Sequence, residues 1–69
     1  MDVATKIRAF LEKHEITQLT LCEKTHISPA KLSLSLSNKR KLSLDEYQTI
    51  CWALGVGVDA FMEPRPPVG

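Results

Sequence analysis

The sequence predicts an all-α domain, a compact bundle of four or five short helices. Three observations predict this fold class: a helix-start signal that occurs three times, apolar residues at helical spacing, and no convincing β alternation. The chain has 69 residues and is 43% hydrophobic, which is ordinary for a folded protein. A chain of this length forms one domain with a thin core.

Three helix starts share one pattern: an apolar residue, then Ser or Thr, then a second apolar residue four positions after the hydroxyl. The copies are Ile16-Thr17 with Leu21, Ile27-Ser28 with Leu32, and Leu42-Ser43 with Tyr47. This is a hydroxyl N-cap with a hydrophobic staple. Glu46 completes a capping box with Ser43, and Pro29 stands at the first helical position, which Pro tolerates.

An earlier helix is predicted from Val3, Ile7, Phe10 and Leu11, which recur at helical spacing after the possible cap Asp2. We therefore expect helices over 3–14, 18–24, 29–37 and 44–54. Asn38 and Gly55 fall where left-handed C-caps belong. Residues 58–62 predict one further helical turn, closed by Glu63, so the domain is expected over 1–63 and a flexible Pro-rich tail over 64–69.

The composition argues against several classes of protein. Cys22 and Cys51 are far apart, without a CxxC or Cys/His cluster, so a zinc site lacks ligands. We expect both to be buried thiols in a reducing cytoplasm, with a disulfide between them as the alternative. His14 and His26 have no partner at catalytic spacing, and there is no Gly-rich phosphate loop. We expect no enzyme activity, metal, cofactor or small-molecule ligand.

No apolar run approaches the roughly 18 residues of a membrane span, and no signal-peptide core follows Met1. We therefore expect a cytoplasmic protein without a membrane partner.

Charge is segregated along the chain, although the net charge is only +1. Between Glu23 and Asp45 there are five basic residues and no acidic one; they are Lys24, Lys31, Lys39, Arg40 and Lys41. Such a basic face is typical of a phosphate-binding surface, although it also fits a merely solvated face. Only residues 25–28 separate the second and third predicted helices, which is the geometry of a helix-turn-helix that reads DNA. Other all-α domains also contain tight turns.

Two stretches resemble a known family. Residues 16–33, with Ile16-Thr17-Gln18, Leu21-Cys22-Glu23-Lys24, Ile27-Ser28 and Leu32-Ser33, are similar to the core motif of the Cro/C1-type (XRE-like) helix-turn-helix family. Residues 50–59 resemble the end of the same domain in lambdoid phage repressors. The resemblance covers about residues 3–63 and implies a lambda-repressor-like fold. It also implies a transcriptional regulator associated with the nucleoid.

The resemblance also assigns roles. It implies that Gln18 contacts phosphate or a base, that residues 28–37 form the recognition helix, and that Lys39, Arg40 and Lys41 touch phosphates. The chain departs from the family where Lys13-His14-Glu15 and His26 replace turn glycines and Asn38 replaces a C-cap glycine. His26 is then expected to be mildly strained, whereas Asn tolerates the left-handed region.

A helical wheel divides the third predicted helix into two faces. Leu32, Ser35 and Leu36 turn toward the core, and Ala30, Ser33, Leu34 and Ser37 turn outward. Leu34 is either a scattered surface residue or an apolar contact to thymine methyl groups. The predicted DNA-binding residues are Thr17, Gln18, Ser28, Pro29, Ala30, Lys31, Ser33, Leu34, Ser37, Lys39, Arg40 and Lys41.

A second surface is predicted to pair two copies of the chain. Trp52 falls opposite the apolar side of the fourth predicted helix, and an exposed Trp favours a partner. The predicted dimer interface is Trp52, Val56, Val58, Phe61 and Met62. Alternatively, Trp52 folds over the edge of its own domain and Phe61 alone is core. A dimer would bind a palindromic operator in double-stranded DNA with half-sites about 34 Å apart.

Two functions from different classes remain. One is a DNA-binding transcriptional regulator, expected to be a repressor. The other is a protein-binding module on a helix-turn-helix scaffold, of the antitoxin or inhibitor kind. Leu34, the few base-reading side chains and Trp52 favour the second function, and the segregated basic segment favours the first.

Overall fold

Residues 2–62 are described by the computed structural model, and within this range the chain forms four α-helices and no strand. Their bounds are α1 Val3–Lys13, α2 Gln18–Thr25, α3 Pro29–Leu36 and α4 Leu44–Leu54. The all-α prediction is confirmed, and each predicted boundary lies within one residue of the observed one. The predictions for Glu63 and the 64–69 tail fall outside the described residues.

Each helix begins at an N-cap that the sequence predicts. Asp2, Thr17, Ser28 and Ser43 all have extended backbone, and each side-chain oxygen accepts a hydrogen bond from the amide three residues later. At α4 the capping box is complete, because the Ser43 amide also donates to Glu46 Oε1 at 2.9 Å. These caps satisfy amides that a helix start leaves without partners, which fixes where the helices begin.

Each helix is followed by a residue in the left-handed region. These residues are Glu15, His26, Asn38 and Gly55, with φ of 55°, 60°, 62° and 72°. After α1, α3 and α4 the next two amides bond back in a Schellman arrangement; after α3, Asn38 donates to Ser35 and Lys39 to Leu34. The predictions for His26, Asn38 and Gly55 are confirmed, whereas the left-handed Glu15 was not predicted.

The core lies where the four helices meet. Its fully buried side chains include Ile7, Leu21, Leu32, Leu36 and Ile50, so every helix contributes to it. Cys22 and Cys51 are also buried there and are free thiols. The prediction of buried thiols is therefore confirmed, and the disulfide alternative is wrong.

The segment after α4 folds back onto the bundle. Residues 57–62 form successive turns, with Ala60 N bonded to Gly57 O at 3.0 Å and Met62 N to Asp59 O at 3.2 Å. They do not form the fifth helix that the sequence analysis allowed. The Tyr47 hydroxyl donates to the Val58 carbonyl, and Phe61 packs edge-on against Phe10 with ring centroids 5.6 Å apart.

Candidate nucleic-acid interface

The turn between α2 and α3 is held by a buried threonine. Thr25 Oγ1 donates to the Leu21 carbonyl at 2.8 Å and accepts from the Ile27 amide at 3.3 Å. His26 then adopts the left-handed conformation and donates its amide to Cys22 O at 2.8 Å. These bonds fix the angle between α2 and α3. Thr25 was not among the residues predicted from the sequence; its signal there is a hydroxyl residue in the last helical turn before the inter-helix turn.

The outer face of α3 is exposed as predicted. Ala30, Ser33, Leu34 and Ser37 are all exposed, whereas Leu32, Ser35 and Leu36 are buried. Two leucines on one helix show the contrast, because Leu34 is 44% exposed and Leu36 is 0% exposed. The division into a core face and an outward face is therefore confirmed.

The hydroxyl groups on this face differ in which hydrogen bonds they can still make. Ser37 Oγ donates to the Ser33 carbonyl at 2.8 Å, so its proton is used within the helix and its oxygen remains an acceptor. Ser28 Oγ caps α3 by accepting from the Lys31 amide at 3.3 Å. The face thus presents short polar groups around one apolar side chain, Leu34.

The N-terminus of α2 presents a second exposed patch. Thr17 and Gln18 are both exposed, and Thr17 Oγ1 lies 2.9 Å from Thr20 Oγ1. The long Gln18 side chain stands at the first position of α2, beside the cap. A helix N-terminus with an exposed amide side chain is suited to binding an anionic oxygen.

The segment after α3 carries the remaining predicted basic residues. Asn38 Nδ2 donates to Asp2 Oδ2 at 3.1 Å, which ties the end of α3 to the start of α1. Lys39 and Lys41, on either side of Arg40, are exposed, and Lys31 is exposed within α3. These three lysines are the exposed basic side chains on α3 and directly after it.

Arg40 makes contacts within the domain that the sequence did not predict. Its Nη1 donates to Ser35 Oγ at 2.9 Å and its Nη2 donates to Glu46 Oε2 at 2.8 Å. Ser35 is 2% exposed, so Arg40 supplies the hydrogen-bond partner that this buried hydroxyl needs. The guanidinium group therefore joins α3 to α4, and two of its nitrogens are occupied within the domain.

The Arg40–Glu46 pair is ionised at neutral pH. The hydrogen bond from Arg40, with the backbone hydrogen bond from Ser43, lowers the pKa of Glu46 from 4.5 to about 2. A carboxylate with such a pKa keeps its charge throughout the physiological range. The pair also neutralises the charge of Arg40, which leaves Lys39 and Lys41 as the basic groups that this segment presents to solvent.

The predicted dimer surface is exposed in part. Trp52 is 75% exposed, Met62 54% and Val58 51%, while Val56 is half-buried against the core. Trp52 therefore does not fold over the edge of its own domain. Phe61 is a correction, because it is 4% exposed and belongs to the core, where it contacts Phe10.

Among residues 2–62, no group of three His, Cys, Asp or Glu side chains is placed to hold a metal ion. Over this range the longest helices have 11 residues, and none is long and apolar enough to cross a membrane.

A comparison with known families gives a match over nearly the whole chain. A family model described as the Cro/C1-type HTH DNA-binding domain matches residues 6–67, which include most of α1 and all of α2, α3 and α4. No curated protein and no solved structure matches the chain significantly. The family match confirms the resemblance that the sequence motifs indicate.

Proposed function

The chain belongs to the family of Cro/C1-type HTH DNA-binding domains, which supports a DNA-binding regulator, and on that premise we propose that it is a sequence-specific transcriptional repressor. In this proposal α3 enters the major groove of operator DNA. The observation that carries the proposal is the exposed outer face of α3 together with exposed Lys39 and Lys41 directly after it. A helix of this kind, supported by a second helix across a tight turn, fits the width of the major groove.

Base reading is assigned to the outer face of α3. Leu34 contacts thymine methyl groups, Ser33 hydrogen-bonds to base edges, and Ser37 Oγ accepts from base amino groups, while Ala30 allows close approach. None of these side chains makes the bidentate contacts by which Arg, Asn or Gln specify a base. Sequence preference then depends strongly on DNA shape and on the spacing of two half-sites.

Phosphate binding is assigned to the residues around that face. Lys31, Lys39 and Lys41 neutralise backbone charge, and Thr17, Gln18 and the Ser28-Pro29 start of α3 contact phosphate oxygens. Arg40 positions the segment rather than contacting DNA, because its guanidinium is bonded to Ser35 and Glu46. These contacts fix where α3 lies on the duplex.

We also propose that two copies bind a palindromic operator. The exposed apolar side chains of Trp52, Val58 and Met62 supply a surface that a second copy would cover. One domain of this size makes few DNA contacts, so pairing two half-sites about 34 Å apart raises affinity and specificity together. We further propose that the protein binds the DNA of the nucleoid, in the cytoplasm.

The salt dependence of DNA binding tests the phosphate assignments. Lys39→Gln and Lys41→Gln should each reduce the slope of log affinity against log salt by about 0.9 per copy, because each removes one phosphate contact. The double variant Arg40→Gln/Glu46→Gln is the matched control, since it removes one basic and one acidic group and keeps the net charge. We expect this control to leave the slope unchanged. Salt-independent or undetectable binding by the folded wild-type chain would contradict the proposal.

A second candidate function is a protein-binding module, favoured by the exposure of Trp52 and Leu34. Reversing the charge of Lys39 together with Lys41, both exposed, separates the two functions. A partner bound through apolar side chains would still bind this variant, whereas DNA binding would fall steeply.

A further inference from the structure

An apolar groove of about 650 Å³ lies between the start of α1, the segment that joins α3 to α4, and the start of α4. Its apolar lining is Val3, Ala4, Leu42, Leu44, Tyr47 and Met62. Leu44 is 67% exposed and Met62 54% exposed, so two large apolar side chains face solvent here. Neither belongs to the base-reading face of α3. Clustered apolar exposure of this kind is typical of a binding surface.

The groove is held open by hydrogen bonds in its walls. Asn38 bonds to Asp2 on one side, and Arg40 joins Ser35 to Glu46 on another. The Tyr47 hydroxyl bonds to the Val58 carbonyl. Within residues 2–62, every buried side-chain nitrogen and oxygen has a hydrogen-bond partner. An occupant therefore enters a preformed site and has no polar bond in the walls to break.

The rim of the groove is basic. Lys39 and Lys41 both line it and are exposed, whereas the charge of Arg40 is neutralised by Glu46. The acidic group at the rim is Asp2, whose oxygens already accept from the Thr5 amide and from Asn38. Two ammonium groups beside an apolar floor favour an anionic and apolar occupant.

We propose that this groove binds an acidic amphipathic segment of another protein. Apolar side chains of the segment would pack against Leu42, Leu44 and Tyr47, and its carboxylates would pair with Lys39 and Lys41. A protein segment fits better than a small molecule, because two of the lining side chains are more than half exposed and the groove cannot enclose its occupant. Small ligands are usually buried over about 70–90% of their surface, whereas peptide segments lie in open grooves.

Binding there would release DNA, a consequence that rests on the proposed function. The two lysines that would pair with the segment's carboxylates are the ones assigned to DNA phosphates. Since an ammonium group cannot serve both partners fully, the acidic segment and DNA compete for the domain. An acidic segment in the groove would thus switch off DNA binding by this domain.

Selection from a library of random 12-residue peptides tests the groove without DNA. The full chain serves as the target, and Leu44→Gln and Lys39→Gln/Lys41→Gln serve as variants for measuring the affinity of the selected peptides. Leu19→Gln is the matched control, because Leu19 is 62% exposed, close to the 67% of Leu44, and lies outside the groove. Circular dichroism confirms that each variant is folded.

We expect the selected peptides to combine Asp or Glu with large apolar residues. Leu44→Gln should weaken their binding about tenfold, the double lysine variant should weaken it as well, and Leu19→Gln should leave it unchanged. Failure to enrich any peptide, enrichment of peptides without acidic residues, or an equal loss of peptide binding with Leu19→Gln would overturn the proposal. A DNA competition assay with the same peptides then tests the switch separately. If the peptides bind but the chain has no DNA affinity, the proposed function fails and the groove stands.

Discussion

Left-handed residues end all four helices, and only Gly55 among them is a glycine. A residue with a Cβ atom in this conformation costs about 1 kcal/mol or more, although Asn and His tolerate it better than most. Glu15 has neither a suitable side chain nor a glycine's freedom, so it carries the largest strain of the four. Hydrogen bonds at these ends offset the cost by satisfying helix carbonyls: Schellman pairs after α1, α3 and α4, and the bond from the His26 amide to Cys22 O after α2.

Glycine substitutions at the three strained positions should stabilise the domain in a graded order. Glu15→Gly should raise the free energy of unfolding by about 0.5–1 kcal/mol, His26→Gly by less, and Asn38→Gly by little, because Asn38 also loses its bond to Asp2. Urea unfolding followed by circular dichroism measures all three. Destabilisation by Glu15→Gly would show that its side chain makes a contribution that outweighs backbone strain.

Glu46 should make stability depend on pH in the acid range. Its pKa is about 2 in the folded chain against an ordinary 4.5, so below about pH 4.5 the unfolded chain takes up a proton that the folded chain does not. The contribution of this pair to the free energy of unfolding is therefore fully present above about pH 4.5 and is lost as the pH is lowered toward 2. Because the pair is partly exposed, we expect this loss to be on the order of 1 kcal/mol.

Denaturant unfolding between pH 6 and pH 2.5 measures this effect. Glu46→Gln should remove this contribution, so the free energy of unfolding should fall less between pH 6 and pH 2.5 than it does in the wild-type chain. Arg40→Gln should reduce this fall only partly, because the Ser43 amide still bonds to Glu46. An unchanged acid profile in Glu46→Gln would contradict the structural role assigned to the pair.

Single residues differ in how well the sequence predicts them. Asn38 and His26 were expected in the left-handed region because they stand where related sequences carry glycine. The family resemblance assigned Arg40 to phosphate together with Lys39 and Lys41, yet its partners Ser35 and Glu46 lie on two different helices. A pairing between helices cannot be deduced from a run of like charges.

At the scale of elements, the helices follow from local signals. Every N-cap side chain accepts a hydrogen bond from the amide three positions later, so the start of each helix is determined by a few neighbouring residues. The faces of α3 follow from its period, because Leu32 and Leu36 are one turn apart and both buried. Thr25 was missed because its two hydrogen bonds depend on the path of the turn that follows it.

Two leucines of α3 give a matched test of this element. Leu36→Ala should cost about 2–5 kcal/mol of stability, because Leu36 is fully buried and the change leaves a cavity. Leu34→Ala should change stability by less than about 0.5 kcal/mol, since the side chain faces solvent. In DNA binding Leu34→Ala should instead lower discrimination at one base pair by about 1 kcal/mol.

Thermal unfolding and binding to a panel of single-base operator variants measure both effects. Unfolding of the Leu34→Ala chain, or unchanged base preference in a folded Leu34→Ala chain, would contradict the assignment of this face to DNA.

For the whole molecule, sequence patterns predict the class of fold but not every contact between distant segments. Phe61 was placed on the dimer surface because it follows Trp52 and Val58 in an apolar run. In the structure the chain turns back after α4, and Phe61 packs on Phe10, about fifty residues earlier in the sequence. The groove at the start of α1 and α4 was likewise missed, because it is formed by segments far apart in the chain.

Self-association should depend on the Trp52 surface. We expect the wild-type chain to dimerise, and Trp52→Gln to be monomeric at the same concentration because it removes the most exposed large apolar side chain. Sedimentation equilibrium measures this, with Leu44→Gln as the control for a comparable loss of exposed apolar surface elsewhere. A monomeric wild-type chain at every concentration, or equal loss of association in both variants, would contradict the proposed interface.

The most direct measurement of the central claim is selection of DNA from a random-sequence pool by the purified chain, repeated at two salt concentrations. We expect a palindromic motif whose half-sites lie about one helical turn apart, with affinity that falls steeply as salt rises. The Lys39→Gln/Lys41→Gln variant should lose affinity for the selected DNA, and Leu34→Ala should alter the motif. Absence of DNA binding at low salt by a folded sample, or binding without enrichment of any sequence, would contradict the account.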